Sequence, residues 1–293
     1  MRAEQDGKDI LIRGAEHYDI YRTFSSGQTF RFSRSGSSLF GAAYGRVLEL
    51  CQHEDTITLK NCTPEEYESV WKEYLAADED YSSILKAIDN DEIIHSAIEY
   101  GSGIRILRQE LWECIISFVL SQNSNIPRIS KMVEALCSCC GTMIPSSSFF
   151  AFPQPEQILK SGKNSLGNLK LGYRDDYVYE AAKAVYENKL DLKELTEADT
   201  QTARRMLTDI RGIGGKVADC ILLFGLGRYE VCPHDVWVKR ILSEKYHIAD
   251  INEKKGYRFV SEKWGDYAGI AQQFLFYAHR GSKNEDSGSN SRI

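Results

Sequence analysis

The sequence predicts an α+β protein: an N-terminal antiparallel β-sheet domain followed by an all-α region built around a helix-hairpin-helix. Three observations predict it. Between residues 7 and 60, short apolar or alternating runs are separated by Gly, Ser and Asp, which is the signature of strands and turns. From Thr63 to about Arg280 the apolar residues recur at close to helical spacing. Inside that stretch, Gly212-Ile213-Gly214-Gly215 separates a helical run ending at Arg211 from an apolar helix starting near Lys216. The predicted divisions are 1–105 for the β-rich domain with its helices, 106–280 for the helical region, with room for two subdomains, and 281–293 for a disordered tail.

The strands are expected around Ile10-Leu11-Ile12, Thr29-Phe30-Arg31-Phe32, Phe40–Leu50 and Thr56–Leu59. Thr63-Pro64-Glu65-Glu66 then opens a helix, with Thr as N-cap, Pro at the first helical position and Glu at the third. Leu111–Asn125 reads as a helix running into the polar segment Ser121-Gln122-Asn123-Ser124-Asn125. Leu171-Gly172-Tyr173-Arg174 precedes another helix, and Ala268–Phe276 lies in a late one, where Gln272 and Phe276 share a face. The tail from Gly281 is rich in Ser, Asn, Lys and Asp, a composition that predicts disorder.

At 293 residues the chain can bury a sizeable core. It has no secretory signal and no apolar run long enough to span a bilayer. The eight cysteines lack disulfide-scaffold spacing and are expected as reduced thiols of an intracellular protein, cytoplasmic or in the nucleoid if bacterial and nuclear if eukaryotic. Cys137-Ser138-Cys139-Cys140 lies in a helical run without a C-x-x-C pair, so buried thiols are a better reading than a metal site. The net charge of −6 argues at first against a polyanionic partner. However, residues 51–100 hold thirteen acidic and three basic residues, a local −10 that leaves +4 for the rest. Arg204, Arg205, Arg211, Lys216, Lys239 and Arg240 surround the hairpin and form a weakly basic face.

The hairpin carries the chemistry. Glycine permits positive φ and close approach of another backbone. A glycine turn opening a helix leaves backbone N–H groups unpaired, and these suit a phosphate. An ordinary tight helix-helix connection would look similar. Lys216 is the unusual feature, because a helix N-terminus repels a cation. That field and burial lower a lysine's pKa, whereas a nearby carboxylate raises it; the neutral amine is the nucleophile. Asp235, after Pro233 and His234, is a good N-cap on structural grounds alone.

Together these residues resemble the helix-hairpin-helix, Gly/Pro-rich loop and aspartate motif of base-excision DNA glycosylases. Lys216-Val217-Ala218-Asp219-Cys220, with Pro233 and Asp235 downstream, is similar to the 8-oxoguanine DNA glycosylase family. The resemblance covers about residues 7–280 and five separated elements in order. It implies a bifunctional DNA glycosylase/AP lyase, with Lys216 as nucleophile and Asp235 stabilising charge on the sugar. In Ser26-Gly27-Gln28-Thr29-Phe30 it assigns the Gly27 carbonyl to N7–H of the damaged base, where normal guanine presents a lone pair. Gln272 would bond the Watson–Crick edge of the flipped purine, with Phe276 stacked on one side and Cys220 on the other. Asn123 and Arg128 would fill the gap and meet the opposite cytosine, Tyr173 would wedge beside the lesion, and Arg174 would read the cytosine. Gly212 and Gly214 would contact phosphate.

The implied partner is double-stranded DNA with 8-oxoguanine opposite cytosine, bound by a monomer without any membrane. No cofactor is required and no catalytic metal is implied, although hairpin carbonyls of the family can hold a metal ion. Only Cys220 and Cys232 lie beyond residue 200, so an iron–sulfur cluster is not expected. The chain departs from the family at Gln122 and Ser124. It also departs at Trp237 and His279, where a histidine–aspartate pair is expected, which puts that histidine's phosphate contact in doubt. The competing readings are a glycosylase of the same fold with another damaged-base preference, and a non-catalytic hairpin module that only binds DNA.

Overall fold

The computed structural model describes residues 1–248 and 253–287. Six strands form one antiparallel sheet: β1 (Arg2–Asp6), β2 (Asp9–Arg13), β3 (Phe32–Ser35), β4 (Ser38–Ala43), β5 (Arg46–His53) and β6 (Thr56–Lys60), in the order β1-β2-β6-β5-β4-β3. The alternation decides which face is buried. Ile10 and Ile12 pair across to Leu59 and Ile57, and Leu50 pairs with Leu59, so all five point into one core. Phe40–Leu50 is a hairpin rather than one run, because Tyr44 and Gly45 both take positive φ and turn β4 back into β5. β1 reads RAEQD, a polar edge strand with no apolar pattern to predict it.

Helix α1 (Ile20–Ser25), capped by Asp19, interrupts the strands. After the sheet, Thr63 and Glu66 make the reciprocal capping box that opens α2 (Pro64–Glu66). A π turn, Tyr67–Trp71, and α3 (Lys72–Tyr74) follow, and Tyr67, Trp71 and Tyr74 close the sheet core. The helices α4 (Tyr81–Ile88) and α5 (Glu92–Tyr100) pack instead into the second core, with Ile84, Ile88 and Ile94 facing the helical region.

The helical region comprises α6 (Leu111–Ser121), α7 (Ile126–Cys140), α8 (Pro155–Gly167), α9 (Arg174–Tyr186), α10 (Leu192–Glu197), α11 (Thr200–Thr208), α12 (Gly215–Leu226), α13 (Val236–Glu244), α14 (Glu253–Trp264) and α15 (Ala268–Ser287). α6 is buried from Trp112 to Leu120 and is the central rod. Its Phe118 stacks on Phe224 of α12, with centroids 5.2 Å apart. Arg31 joins the two regions: it ion-pairs with Glu113 at 3.4 Å and Glu134 at 3.1 Å, and donates to the Phe150 carbonyl. α15 stays helical through 281–287, where the polar composition predicts disorder; extending an existing helix costs far less than nucleating one. Residues 288–293 of the predicted tail lie outside the described residues. Among the described residues no helix is long and apolar enough to cross a membrane.

Candidate active site

The hairpin joins α11 to α12. Gly212 has φ +94°, and a Cβ there would lie 2.3 Å from Cγ of Tyr177. Gly214 is different: it is the extended N-cap of α12, with φ −84°, and a Cβ would meet nothing within 4 Å. Of the three glycines only Gly212 takes positive φ. Gly214 instead keeps the approach to the helix N-terminus open. Gln122 donates to the Gly212 carbonyl at 3.0 Å and so ties the hairpin to the end of α6.

Lys216 occupies the first turn of α12, half-buried, with Nζ 5.8 Å from the Phe118 ring centroid. Its ammonium is held above the usual lysine range, first by Cys220 one turn on and then by Asp235, while burial opposes both. The Cys220 thiol, pushed up to about 11 by its own burial, is uncharged at neutral pH. The lysine of the DNA-free protein is therefore a cation, with Asp235 adding to the rise that Cys220 begins. Asp235 caps α13, its Oδ1 accepting from the Val238 N–H at 2.8 Å.

Lys216 and Asp235 open onto one cavity of about 1150 Å³, whose wall also includes Gly27, Phe118, Trp237 and Phe276. Gly27 has φ +87°. The carbonyls around it are all engaged: Ser25 O accepts from Arg280, Ser26 O from Gln273, and Gln28 O from Gln109. Among the described residues no donor reaches Gly27 O. Gln28 is fully buried and anchors the turn, donating to Thr23 O, Ser26 Oγ and Arg105 O and accepting from Leu107 N. Cys220 is buried beside the lysine amine. Gln272 does not line the main cavity: it faces a small gap with Cys232 and Val238, one turn deeper on the face of Phe276, and its Oε1 has no hydrogen-bond partner. Shared helical spacing brought the two residues to one face but not to one depth.

The segment after α6 folds as a loop. Asn123 takes φ +46°, and its Nδ2 donates to the Tyr173 hydroxyl at 2.9 Å. Tyr173 is half exposed. Arg174 differs from the expectation of a base-reading side chain. It is buried, and donates to Gln122 O at 2.8 Å, Asn123 O at 3.1 Å and Leu171 O at 3.0 Å. A guanidinium under a loop full of unpaired carbonyls satisfies them, so it props the loop from below. Arg128 is exposed in the first turn of α7, which Asn125 caps.

Known proteins match this chain along most of its length. The family model of the 8-oxoguanine DNA glycosylase N-terminal domain matches residues 10–115, and that of the HhH-GPD superfamily base excision DNA repair proteins matches 116–266. The chain belongs to the 8-oxoguanine DNA glycosylase branch of the HhH-GPD superfamily. A solved complex of MBOgg1 with a low-affinity DNA ligand is 34% identical, superposes with a TM-score of 0.93, and is covered over 99% of its chain by 96% of this one. The Clostridium acetobutylicum 8-oxoguanine glycosylase/lyase, solved with DNA containing cytosine opposite 8-oxoG, is 29% identical with a TM-score of 0.92; 97% of this chain covers 99% of it. The Saccharomyces cerevisiae N-glycosylase/DNA lyase is 34% identical over 211 residues, which are 59% of this chain and 56% of that protein. The chain thus spans little more than half the length of that yeast relative.

As a member of the glycosylase family the chain keeps the hairpin lysine and aspartate but replaces the expected histidine–aspartate pair. Trp237 and His279 meet edge to face, with centroids 5.6 Å apart, so the two departures form one contact. Arg240 lies 5.2 Å over the Trp237 ring. Sequence reasoning gave no role to Gln28, Gln273, Arg280 or Asp219. Asp219 is fully buried beside Cys220; it accepts from Arg204 at 2.8 Å and from the Tyr257 hydroxyl, which ties α12 to α11 and α14. The signal for Asp219 was a charged residue in the middle of the apolar run 217–224. Among the described residues no three of His, Cys, Asp and Glu group at metal-holding spacing.

Proposed function

We propose that this protein is a bifunctional DNA glycosylase/AP lyase that excises 8-oxoguanine from duplex DNA. The observation that carries the reading is the opening of Lys216 and Asp235 onto one cavity that also contains the Gly27 turn and Phe276. A base must leave the stack to be cleaved, at a cost of a few kcal/mol. Tyr173 at the loop surface, Asn123 and Arg128 would offset that cost by filling the gap and meeting the opposite cytosine. The hairpin N–H groups at Gly212 and Gly214 would hold phosphate.

In the cavity, Gly27 O accepts from N7–H of 8-oxoguanine and faces a lone pair on guanine. A mismatched buried polar contact costs about 1–3 kcal/mol. Phe276 stacks on the purine; Cys220, buried beside Lys216 and outside the cavity lining, would meet the other face only once the wall beside the lysine opens. Gln272 sits too deep for the Watson–Crick edge unless its side chain turns outward; its unpaired Oε1 is the group a purine would satisfy. Lys216 first loses a proton to solvent. The amine then bonds to C1′ as the C1′–N9 bond breaks, its electron pair leaving with the base. Positive charge on the sugar is stabilised by Asp235. The secondary ammonium formed on lysine gives its extra proton to the departing purine. Ring opening gives a Schiff base, and removal of a C2′ proton expels the 3′ phosphate by β-elimination. Solvent takes up the C2′ proton, and no step changes an oxidation state, so the reading needs no redox cofactor.

A cation on the hairpin belongs to the same reading. Gln122, Tyr177 and residues 208–214 line an open recess of about 440 Å³ on the hairpin. Backbone oxygens of the hairpin would suit a hard cation, which would stiffen the loop that grips phosphate. The reading is tested by single-turnover release of base from duplexes that hold 8-oxoguanine, uracil or 3-methyladenine, each opposite cytosine, then with the opposite base varied. Preference for 8-oxoguanine supports it; equal release or none contradicts it.

A further inference from the structure

The Gly27 turn belongs to the N-terminal region, yet two of the groups that hold it come from the last helix. Gln273, 3% exposed, donates to Ser26 O at 3.1 Å, and Arg280, two turns on along α15, donates to Ser25 O at 3.1 Å. α15 also presents Phe276 between them. On the far side Gln28 and Gln109 fix the chain after Gly27. Space around Gly27 is limited: a Cβ there would lie 3.0 Å from Ile126 Cδ1 and 3.6 Å from Arg280 Nη1. A carbonyl whose neighbours on both sides are bonded cannot rotate freely. Its direction depends on α15.

We propose that Gln273 and Arg280 are positioning residues for base discrimination: by clamping Ser26 O and Ser25 O, α15 aims the Gly27 carbonyl at the N7 edge of the base. This rests on the reading that Gly27 O recognises N7–H. The clamp couples the ring-stacking residue and the N7-reading carbonyl through one helix, so both move together when α15 shifts. Gln273 does not line the cavity, whereas Arg280 does, so Gln273 is the cleaner probe of the clamp. The effect of losing either bond falls on selectivity, because the abasic sugar and the phosphates do not contact Gly27.

The test uses the full chain carrying Lys216→Gln, so that binding is measured without turnover. Affinity is measured for three duplexes, with 8-oxoguanine, guanine or a tetrahydrofuran abasic analogue opposite cytosine. Gln273→Met and Arg280→Met are each expected to reduce the preference for 8-oxoguanine over guanine by about five- to tenfold, the worth of one hydrogen bond. Affinity of Gln273→Met for the tetrahydrofuran duplex is expected to stay within about twofold, which a general loss of structure would not allow; Arg280→Met also removes a cation and is expected to lose affinity for all three duplexes, more for 8-oxoguanine. Arg280→Lys, which keeps a donor for Ser25 O, is expected to restore most of the preference. Unchanged preference in both methionine variants, or an equal loss on the 8-oxoguanine and tetrahydrofuran duplexes, overturns the clamp. A parent protein with no preference for 8-oxoguanine would instead overturn the underlying reading of Gly27.

Discussion

Gly212→Ala and Gly214→Ala separate what the hairpin glycines do for folding from what they do for DNA. At Gly212 the φ of +94° is strained for any side chain, at about 1–2 kcal/mol. The new methyl would also lie 2.3 Å from Tyr177, and making room in a packed site adds about 1–3 kcal/mol. The total is about 2–5 kcal/mol, or a fall in Tm of roughly 5–15 °C for a chain of this size. At Gly214 the backbone is ordinary and the space is open, so alanine should change stability by less than about 1 kcal/mol. Its methyl would nevertheless stand where phosphate approaches the N–H groups of α12, and DNA affinity should fall about tenfold. Calorimetry and fluorescence-anisotropy titration measure the two effects. Tyr177→Ala in the Gly212→Ala background should recover the steric part and leave the φ strain. Equal Tm values for Gly212→Ala and Gly214→Ala, or unchanged DNA binding by Gly214→Ala, would refute the reasoning.

Further predictions concern charge. The Lys216 ammonium lies above the usual lysine range, so single-turnover base release should rise with pH from 6 to 9 as the amine loses its proton. Asp235→Asn removes the charge that stabilises the ammonium; the rise should shift to lower pH while the maximum rate falls. A flat profile contradicts both. Burial raises Glu113 to about 7, against a nearby Arg31 that lowers it. Its folded pKa exceeds its unfolded one, so its contribution to stability is full below about pH 4.5 and is lost as pH rises through about 7. Glu113→Gln should therefore flatten the change in urea midpoint between pH 5 and 8, and an unchanged slope contradicts this. Arg174→Met leaves three backbone carbonyls without their donor. It should cost about 2–4 kcal/mol in the urea midpoint and loosen discrimination of the opposite base by about tenfold. Loss of neither would show that the loop holds itself.

Local rules with a single physical cause were legible in the sequence. The capping box at Thr63 and Glu66, the N-cap at Asp235 and the turn at Gly212 follow from unpaired N–H groups and from φ, and each stands as predicted. What depends on tertiary packing was not legible. Arg174 and Gln272 are polar residues whose direction is set by a neighbouring loop and a neighbouring helix, and spacing within their own helices does not specify it. The protonation of Lys216 is a balance of Cys220, burial and Asp235 that needs the distances among them. β1 escaped notice because an edge strand needs no apolar face, and α1 because a six-residue helix is too short to show a period. The sheet order, with β2 beside β6, follows from no local feature of either strand.

Covalent capture tests the central claim most directly. The purified protein is incubated with a duplex carrying 8-oxoguanine opposite cytosine in the presence of borohydride, and the adduct is mapped by peptide mass spectrometry. The account predicts a reduced Schiff base on Lys216 in the native chain and none in Lys216→Gln. An adduct that persists in Lys216→Gln, or no adduct on a duplex the native protein binds, would contradict it.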